Sequence, residues 1–297
     1  MRLPHVKTTE SVDFAIVGVP FDTGASFRVG ARFGPEAIRS MSVLLRHHNE
    51  VLDVSIFDHC SGVDYGDLPV NPGYIEDSYK MIEEALFPVV DAGVVPILLG
   101  GDHSVTLPEL RVMAKKYGPV ALIHFDSHSD TGDKRFGRKY THGTTFRRAV
   151  EEELILVEHS IQLGMRGSIY SRDSLIKAKS LGFDLVTTNE GIELGIDELI
   201  RRIHMRVGNA KAFVSFDIDF VDPAYAPGTG TPEVGGFTSR EALQLVRGLK
   251  GLNLIGFDIV EVLPQYDPSQ ITALLAANIA YEFISLIALK KKLALEE

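Results

Sequence analysis

The sequence predicts an α/β protein in which a largely parallel sheet is covered by helices on both faces. Short apolar segments with strand character alternate with segments of helical periodicity along the whole chain. Polar residues able to bind metals follow several apolar segments directly, as is typical of the carboxyl ends of parallel strands. With 297 residues, 45% of them hydrophobic, the chain can bury a substantial core. No linker or internal repeat divides it, so we expect one domain over residues 1–297.

This alternation predicts the elements in chain order. The segments with strand character are residues 14–19, 54–58, 63–67, 94–99, 120–125, 160–164, 184–187, 212–216 and 252–262. The helical segments are residues 35–46, 74–91, 105–117, 142–153, 171–181, 196–207, 239–249 and a last helix that starts at Asp267 and Pro268. The loop at residues 21–34 is long for a strand-to-helix connection, and long loops are often functional. We expect its Arg28 and Arg32 to cap carbonyls or pair with nearby acids.

Asp126, His128 and Asp130 follow the strand at residues 120–125 at alternate positions. Residues two apart in an extended chain point to the same side, so these three groups leave the strand end together. Acidic and imidazole groups crowded in this way are costly to desolvate without a counter-charge, and a divalent cation removes that cost. For this stretch alone, a solvated polar loop is the alternative interpretation.

Two further strand ends favour the metal interpretation. His103 follows the strand at residues 94–99, and Asp217 and Asp219 follow the strand at residues 212–216. If these strands are neighbours, four aspartates and two histidines meet at one edge of the sheet. That set exceeds what one ion needs and suits two ions that share bridging carboxylates. Its many oxygen ligands favour a hard metal such as Mn²⁺ over zinc or copper.

These motifs resemble the metal-binding motifs of the ureohydrolase family, which contains arginases, agmatinases and related guanidino-acid hydrolases. The resemblance rests on GGDHS around His103, on the run from Asp126 to Asp130 and on SFDID ending at Asp219, and it extends from residue 17 to the last helix. Ser127 departs from the alanine usual in the family, but it lies between ligand positions. The resemblance implies a single-domain, three-layer arginase-type fold with a mainly parallel eight-stranded sheet.

The resemblance also implies how two Mn²⁺ ions are bound. One ion is expected to bind His103, Asp126, Asp130 and Asp217. The other is expected to bind Asp126, His128, Asp217 and Asp219, so that Asp126 and Asp217 bridge the two ions.

Glu261 bears on the substrate class. A bare two-metal site usually suggests phosphate esters, but a carboxylate at the end of the last strand would repel a phosphate and could bind a planar guanidinium through paired hydrogen bonds. The resemblance implies that Glu261 binds the substrate guanidinium and that His142 transfers protons. Protonation of the leaving amine is then expected through Asp130 or His142, with urea and an amine as products.

The segment around His142 and residues 227–232 resemble agmatinases and guanidinobutyrases more than arginases. We therefore expect agmatine as the substrate and putrescine as the product, with guanidinobutyrate or another guanidino acid as the alternative and arginine after these. A different class of function is a catalytically silent homologue that only binds ligands. Such relatives usually lose metal ligands, whereas all six positions are retained here.

Composition and charge argue against nucleic-acid and membrane partners. The formal net charge of −10 and a pI near 5.5 argue against a nucleic-acid-binding protein. A single cysteine, Cys60, fits a reducing compartment, and we expect a cytoplasmic protein.

The apolar segment at residues 271–289 approaches membrane-spanning length, but Asn278 and Glu282 interrupt it. We therefore expect a buried or subunit-interface helix, no membrane association and, with the family resemblance, a homotrimer or homohexamer.

Overall fold

A computed structural model describes residues 2–169, 171 and 173–296, and a sheet of eight strands lies at the centre of that part of the chain. The strands in chain order are β1 (Phe14–Val19), β2 (His48–Asn49), β3 (Val54–Ser55), β4 (Gly62–Asp67), β5 (Val95–Gly100), β6 (Ala121–Phe125), β7 (Ile161–Met165), β8 (Asp184–Thr187), β9 (Lys211–Asp217) and β10 (Asn253–Val260). Across the sheet the order is β4-β1-β5-β10-β9-β6-β7-β8, and every pairing is parallel. The short strands β2 and β3 form a separate antiparallel pair. The predicted α/β fold with a parallel eight-stranded sheet is therefore confirmed.

Helices cover both faces of the sheet. Those described are α1 (Gly34–Ser42), α2 (Ile56–His59), α3 (Ile75–Asp91), α4 (Thr106–Tyr117), α5 (Thr145–Glu151), α6 (Ser174–Ser180), α7 (Thr188–Leu194), α8 (Ile196–Val207), α9 (Ser239–Arg247) and α10 (Ile271–Glu296). Helices α1, α8, α9 and α10 share one apolar core with the sheet, and α3, α4 and α5 share the core on the opposite face. The result is three layers, helix on sheet on helix.

Strand β6 shows how the sequence builds both cores. Its five residues are all buried, as expected for a central parallel strand. Ile123 and Phe125 face one core, whereas Leu122 faces the other. His124 and Asp126 have the same parity as Leu122, so they lie on the side of the sheet where Phe146 of α5 packs against the His124 ring.

Several elements differ between the prediction and the structure. Within residues 54–58 only Val54–Ser55 is a strand, and the chain continues as α2 because periodicity cannot classify so short an apolar run. Helix α7 was not predicted; it follows β8 directly and is capped by the Thr187 side chain, which accepts a hydrogen bond from the Glu190 N–H. The predicted helix at residues 171–181 is observed as α6, and Arg172 lies outside the described residues.

Helix α10 is the apolar C-terminal helix. It begins at Ile271 rather than at Pro268, and the Asp267 carboxylate caps it by accepting hydrogen bonds from the backbone N–H groups of Thr272 and Ala273, at 2.8 and 2.9 Å. The helix is long and apolar enough to cross a membrane, but 72% of its most apolar window is buried inside the protein. Packing against α1, α2 and α9 thus accounts for its apolar surface, as expected for a buried helix.

Candidate metal centre and active site

Four neighbouring strands end at the same place. Strands β5, β10, β9 and β6 are consecutive in the sheet, and the predicted site residues follow their carboxyl ends. The register places Phe125 beside Phe216 and Asp217 beside Val260, so the residues after β6, β9 and β10 come into contact. The structure brings together all six predicted metal ligands: His103, Asp126, His128, Asp130, Asp217 and Asp219.

A first cluster, which we call cluster A, surrounds the Nδ1 atom of His103. This atom lies 3.0 Å from Oδ2 of Asp126, 3.1 Å from Oδ2 of Asp130 and 3.2 Å from Oδ2 of Asp217. The His103 side chain is fully buried, and Nδ1 makes no hydrogen bond of good geometry despite these short distances. One nitrogen and three carboxylate oxygens thus point at a common volume.

The other ring nitrogen of His103 fixes its tautomer. Its Nε2 lies 2.9 Å from the Ser215 hydroxyl, and that hydroxyl donates to Oδ1 of Asp258 at 2.8 Å. Because the hydroxyl proton is used on Asp258, Ser215 must accept from an Nε2–H of His103. Nδ1 of the neutral ring then carries a lone pair aimed at three carboxylates, which is unfavourable unless a cation or a proton lies among them.

A second cluster, cluster B, consists of Oδ1 of Asp126, Nδ1 of His128 and Oδ2 of Asp219. The His128 nitrogen lies 3.4 Å from the Asp126 oxygen and 3.1 Å from the Asp219 oxygen. These three residues offer ligand atoms within 4.8 Å of one another, and Oδ2 of Asp219 is buried without a hydrogen-bond partner. Asp126 therefore gives one oxygen to each cluster, as a bridging carboxylate would.

The charges in this region fit a cation site. Burial, and then the charges of Asp219 and Asp126, raise the pKa of Asp217 well above its usual range. Burial opposes a charge on His103, but the close Asp126, Asp130 and Asp217 carboxylates outweigh it and raise the pKa of His103 well above its usual range. Protein groups alone thus leave this carboxylate cluster poorly neutralised, and its oxygen-rich donors suit a hard divalent metal.

Asp217 is the second residue that was predicted to bridge the two ions. Asp217 gives Oδ2 to cluster A, whereas its Oδ1 accepts a hydrogen bond from the Asp219 backbone N–H at 2.8 Å. The number and identity of the ions, and the second bridge, stay predictions.

Glu261 lies beside cluster A at the first position after β10. It adopts a left-handed backbone conformation, with φ of 63°, and its side chain is 1% exposed. Oε1 accepts hydrogen bonds from the His103 backbone N–H at 3.0 Å and from Nδ1 of His142 at 2.8 Å. Oε2 is buried and has no hydrogen-bond partner. One oxygen of this fixed carboxylate is therefore free to accept a hydrogen bond from a ligand.

His142 links Glu261 to the long loop at residues 21–34. Its Nε2 accepts a hydrogen bond from the Ser26 backbone N–H at 3.1 Å and lies 2.7 Å from the Ser26 hydroxyl. Burial opposes protonation, but the neighbouring Glu261 carboxylate outweighs it and raises the pKa of His142 to about 9. The ring thus connects a carboxylate to a hydroxyl, an arrangement that can hold or move a proton.

Two residues next to the predicted ligands contact them directly. His124 is buried, and its Nε2 lies 2.9 Å from Oδ2 of Asp126. The two residues are two positions apart, and this spacing in a strand places them on one side. Ser127, which departs from the alanine usual in the family, lies between ligand positions, and its hydroxyl donates to Oδ1 of Asp219 at 2.7 Å.

The two loop arginines behave as expected. Arg32 forms an ion pair with Asp22, and its Nε–H donates to that carboxylate at 2.6 Å. Arg28 donates to the Thr229 carbonyl at 3.4 Å and stacks over the Tyr266 ring at 4.6 Å. In the same loop, Ser26, which the sequence did not single out, contacts His142.

Comparison with known proteins identifies the family. The family model described as the arginase family matches residues 12–285. The chain belongs to the arginase family. This membership confirms the resemblance drawn from the three metal motifs, the arginase-type fold and the prediction of an amidinohydrolase-type enzyme.

The relatives cover nearly the whole chain. The guanidinobutyrase of Pseudomonas aeruginosa is 43% identical over 290 residues, which is 97% of this chain and 91% of that protein. The mitochondrial agmatinase of Gallus gallus is 45% identical over 287 residues, or 97% of this chain and 84% of that protein. The solved structure of proclavaminate amidino hydrolase from Streptomyces clavuligerus has a TM-score of 0.93 and 41% identity, covering 97% of this chain and 96% of that one.

Proposed function

We propose that this arginase-family protein hydrolyses the guanidino group of a small linear guanidino compound to urea and an amine. Agmatine, giving putrescine, is the first candidate substrate. The observation that carries the proposal is the free, buried Oε2 of Glu261 beside the two carboxylate–imidazole clusters. A fixed anion at this position complements a guanidinium and would repel a phosphate.

Two Mn²⁺ ions complete the proposed site. Cluster A supplies His103, Asp126, Asp130 and Asp217, and cluster B supplies Asp126, His128 and Asp219. We include Asp217 as a second bridge. When bound, such a pair of ions lowers the pKa of a water molecule and acts as a Lewis acid.

Glu261 binds the substrate guanidinium in this proposal. Oε1 is already used by His103 and His142, so Oε2 supplies the principal acceptor for a guanidinium N–H. Gly230 keeps the space beside it open, since a Cβ atom there would lie 3.1 Å from Oε2. The substrate carbon is thereby held next to cluster A.

In this proposal, His142 or Asp130 transfers a proton to the leaving amine. His142 holds one proton between its Nδ1 and Glu261, and its Nε2 contacts the Ser26 hydroxyl. Asp130 places its carboxylate in cluster A, 10% exposed. Either group can deliver the proton that the leaving amine needs when the C–N bond breaks.

A guanidino acid such as guanidinobutyrate is the second candidate substrate. The relatives named above act on different compounds at similar identity, so overall likeness does not select between them. The described contacts of Arg28 are a backbone carbonyl and two aromatic rings, which leaves its charge available for a distal carboxylate. The net charge of −10 favours the cationic agmatine instead.

A panel of guanidino compounds tests the proposal. The Mn-loaded protein is assayed for urea release from agmatine, 4-guanidinobutyrate, 3-guanidinopropionate and arginine, and kcat/KM values are compared. We expect the highest value for agmatine. A higher value for a guanidino acid would move the assignment to that substrate. Absence of urea from every compound would favour a catalytically silent homologue.

The remaining proposals concern the whole molecule. We propose one ureohydrolase domain over residues 1–297, a cytoplasmic location and a homotrimer or homohexamer, without nucleic-acid or membrane partners. The family match over residues 12–285 supports the single domain. Sedimentation that shows a stable monomer at micromolar concentration would refute the oligomer.

A further inference from the structure

A buried polar chain runs beneath the metal clusters from Gln162 on β7 to Asp126. His124, on β6, lies between them, and all three side chains are fully buried. Nε2 of Gln162 lies 2.9 Å from Nδ1 of His124, and Nε2 of His124 lies 2.9 Å from Oδ2 of Asp126. The same Gln162 amide nitrogen lies 2.8 Å from the carbonyl oxygen of Ser129, inside the metal-ligand loop.

The Ser129 carbonyl fixes the direction of the hydrogen bonds from Gln162 through His124 to Asp126. A carbonyl oxygen can only accept, so the Gln162 atom facing it must be the amide nitrogen. The second N–H of that amide then points at Nδ1 of His124, which must accept it. The neutral His124 ring consequently carries its proton on Nε2 and donates it to Oδ2 of Asp126. Oxygen Oδ2 is also the atom that Asp126 gives to cluster A.

Two aromatic neighbours hold the His124 ring in this orientation. The Phe146 ring lies 4.3 Å from it, centroid to centroid, and the His103 ring lies 5.1 Å away. On its other oxygen, Asp126 accepts the His128 backbone N–H at 2.6 Å. Both oxygens of the carboxylate are therefore oriented by donors before any ion binds, one toward each cluster.

We propose that His124 and Gln162 are positioning residues of the metal centre: Gln162 fixes the Nε2–H tautomer of His124, and His124 holds Asp126 as the bridge between the two clusters. This inference rests on the metal centre proposed above and is independent of the substrate. Groups that orient a ligand in this way typically change metal affinity by roughly 10–100-fold when removed.

The competing role for His124 is direct metal ligation. His103, His124 and Asp126 offer ligand atoms within 4.8 Å of one another, so distance alone permits it. A protonated Nε2 cannot bind a metal, however, and Nδ1 faces Gln162. The tautomer therefore separates the two roles, and the variants below distinguish them.

Stepwise Mn²⁺ binding, measured by calorimetry and by metal analysis of the saturated protein, tests the proposal. His124→Phe keeps the ring shape but removes the donor, and we expect it to bind two ions with at least one about 10–100-fold weaker. His124→Gln restores an N–H donor and should lie closer to the wild type. Gln162→Leu should weaken binding in the same direction because the tautomer is no longer fixed.

Each contrary result has a definite meaning. Saturation of His124→Phe at one ion per chain would overturn the proposal and make His124 a ligand. Unchanged Mn²⁺ affinity in His124→Phe or in Gln162→Leu would also overturn it. His204→Phe is the matched control, since among the described residues the side chain of this half-buried histidine on α8 bonds the Gly248 carbonyl, and its loss should alter thermal stability without altering Mn²⁺ affinity. Wild-type protein that binds no Mn²⁺ would refute the proposed function itself.

Discussion

Replacing Glu261 by glutamine removes a negative charge while keeping the shape of the side chain. The glutamine carbonyl can still accept the hydrogen bonds that His103 and His142 donate to Oε1. Its amide nitrogen then takes the place of Oε2, the free acceptor beside Gly230. An N–H donor would there face the N–H donors of the substrate guanidinium, so binding loses its charge and its acceptor together.

The expected loss follows from the hydrogen bond that disappears. Hydrogen bonds to charged groups contribute about 1.5–3 kcal/mol, and each 1.36 kcal/mol corresponds to about a factor of ten in rate. We therefore predict that Glu261→Gln lowers kcat/KM by about tenfold to a hundredfold. Mn²⁺ content should not change, because in the described part of the chain Glu261 meets the metal ligands through the His103 backbone.

Three measurements on one purified preparation test this prediction: urea release, Mn²⁺ stoichiometry and Tm. Glu282→Gln is a matched control, because Glu282 is also buried but accepts its hydrogen bonds from Asn49 and Arg247, away from the site. The control should lower Tm and leave the activity of folded protein intact. Near-normal activity of Glu261→Gln with two ions bound would remove Glu261 from the mechanism and reopen the substrate class.

Three further predictions follow from individual contacts. Ser127→Ala removes the hydroxyl that donates a hydrogen bond to Oδ1 of Asp219, but this oxygen still accepts a hydrogen bond from the Ser127 backbone N–H. Calorimetry should therefore show that Mn²⁺ affinity falls by roughly tenfold at most. Gly230→Ala places a methyl group 3.1 Å from Oε2 of Glu261 and should raise KM in the urea assay by about tenfold, with Tm preserved. The pKa of His142 is raised to about 9, so its stabilising contribution is complete below its ordinary pKa of 6.5 and is lost as pH rises through 9. Denaturant titrations of His142→Asn should therefore show a flatter fall in stability over that pH range, and an unchanged slope would contradict the Glu261 pairing.

Local sequence patterns were sufficient to predict a largely parallel α/β sheet and to bring the ligand candidates together, whereas the eight-stranded arginase-type fold followed from the family resemblance. An apolar run followed by aspartates two residues apart identifies a strand and a ligand pair in one short segment, as at Asp217 and Asp219. Parallel strands with ligand-type residues at their ends then imply a common edge of the sheet. His103 and Glu261 follow the same logic, each lying just beyond a central strand.

The contacts that orient these ligands were beyond the reach of local patterns. Ser26 meets His142 across 116 positions of sequence, and Gln162 meets His124 across 38. Such pairs depend on which strands and loops become neighbours, and neither residue type marks a site by itself. His124 is different, since its spacing from Asp126 was sufficient to place both side chains on one side of β6.

The metal content of the Mn-saturated protein tests the central claim most directly. We predict two Mn²⁺ ions per chain, bound by clusters A and B. Because Asp126 gives one oxygen to each cluster, Asp126→Asn should weaken the binding of both ions. One ion or none in the fully loaded wild type would contradict the binuclear centre.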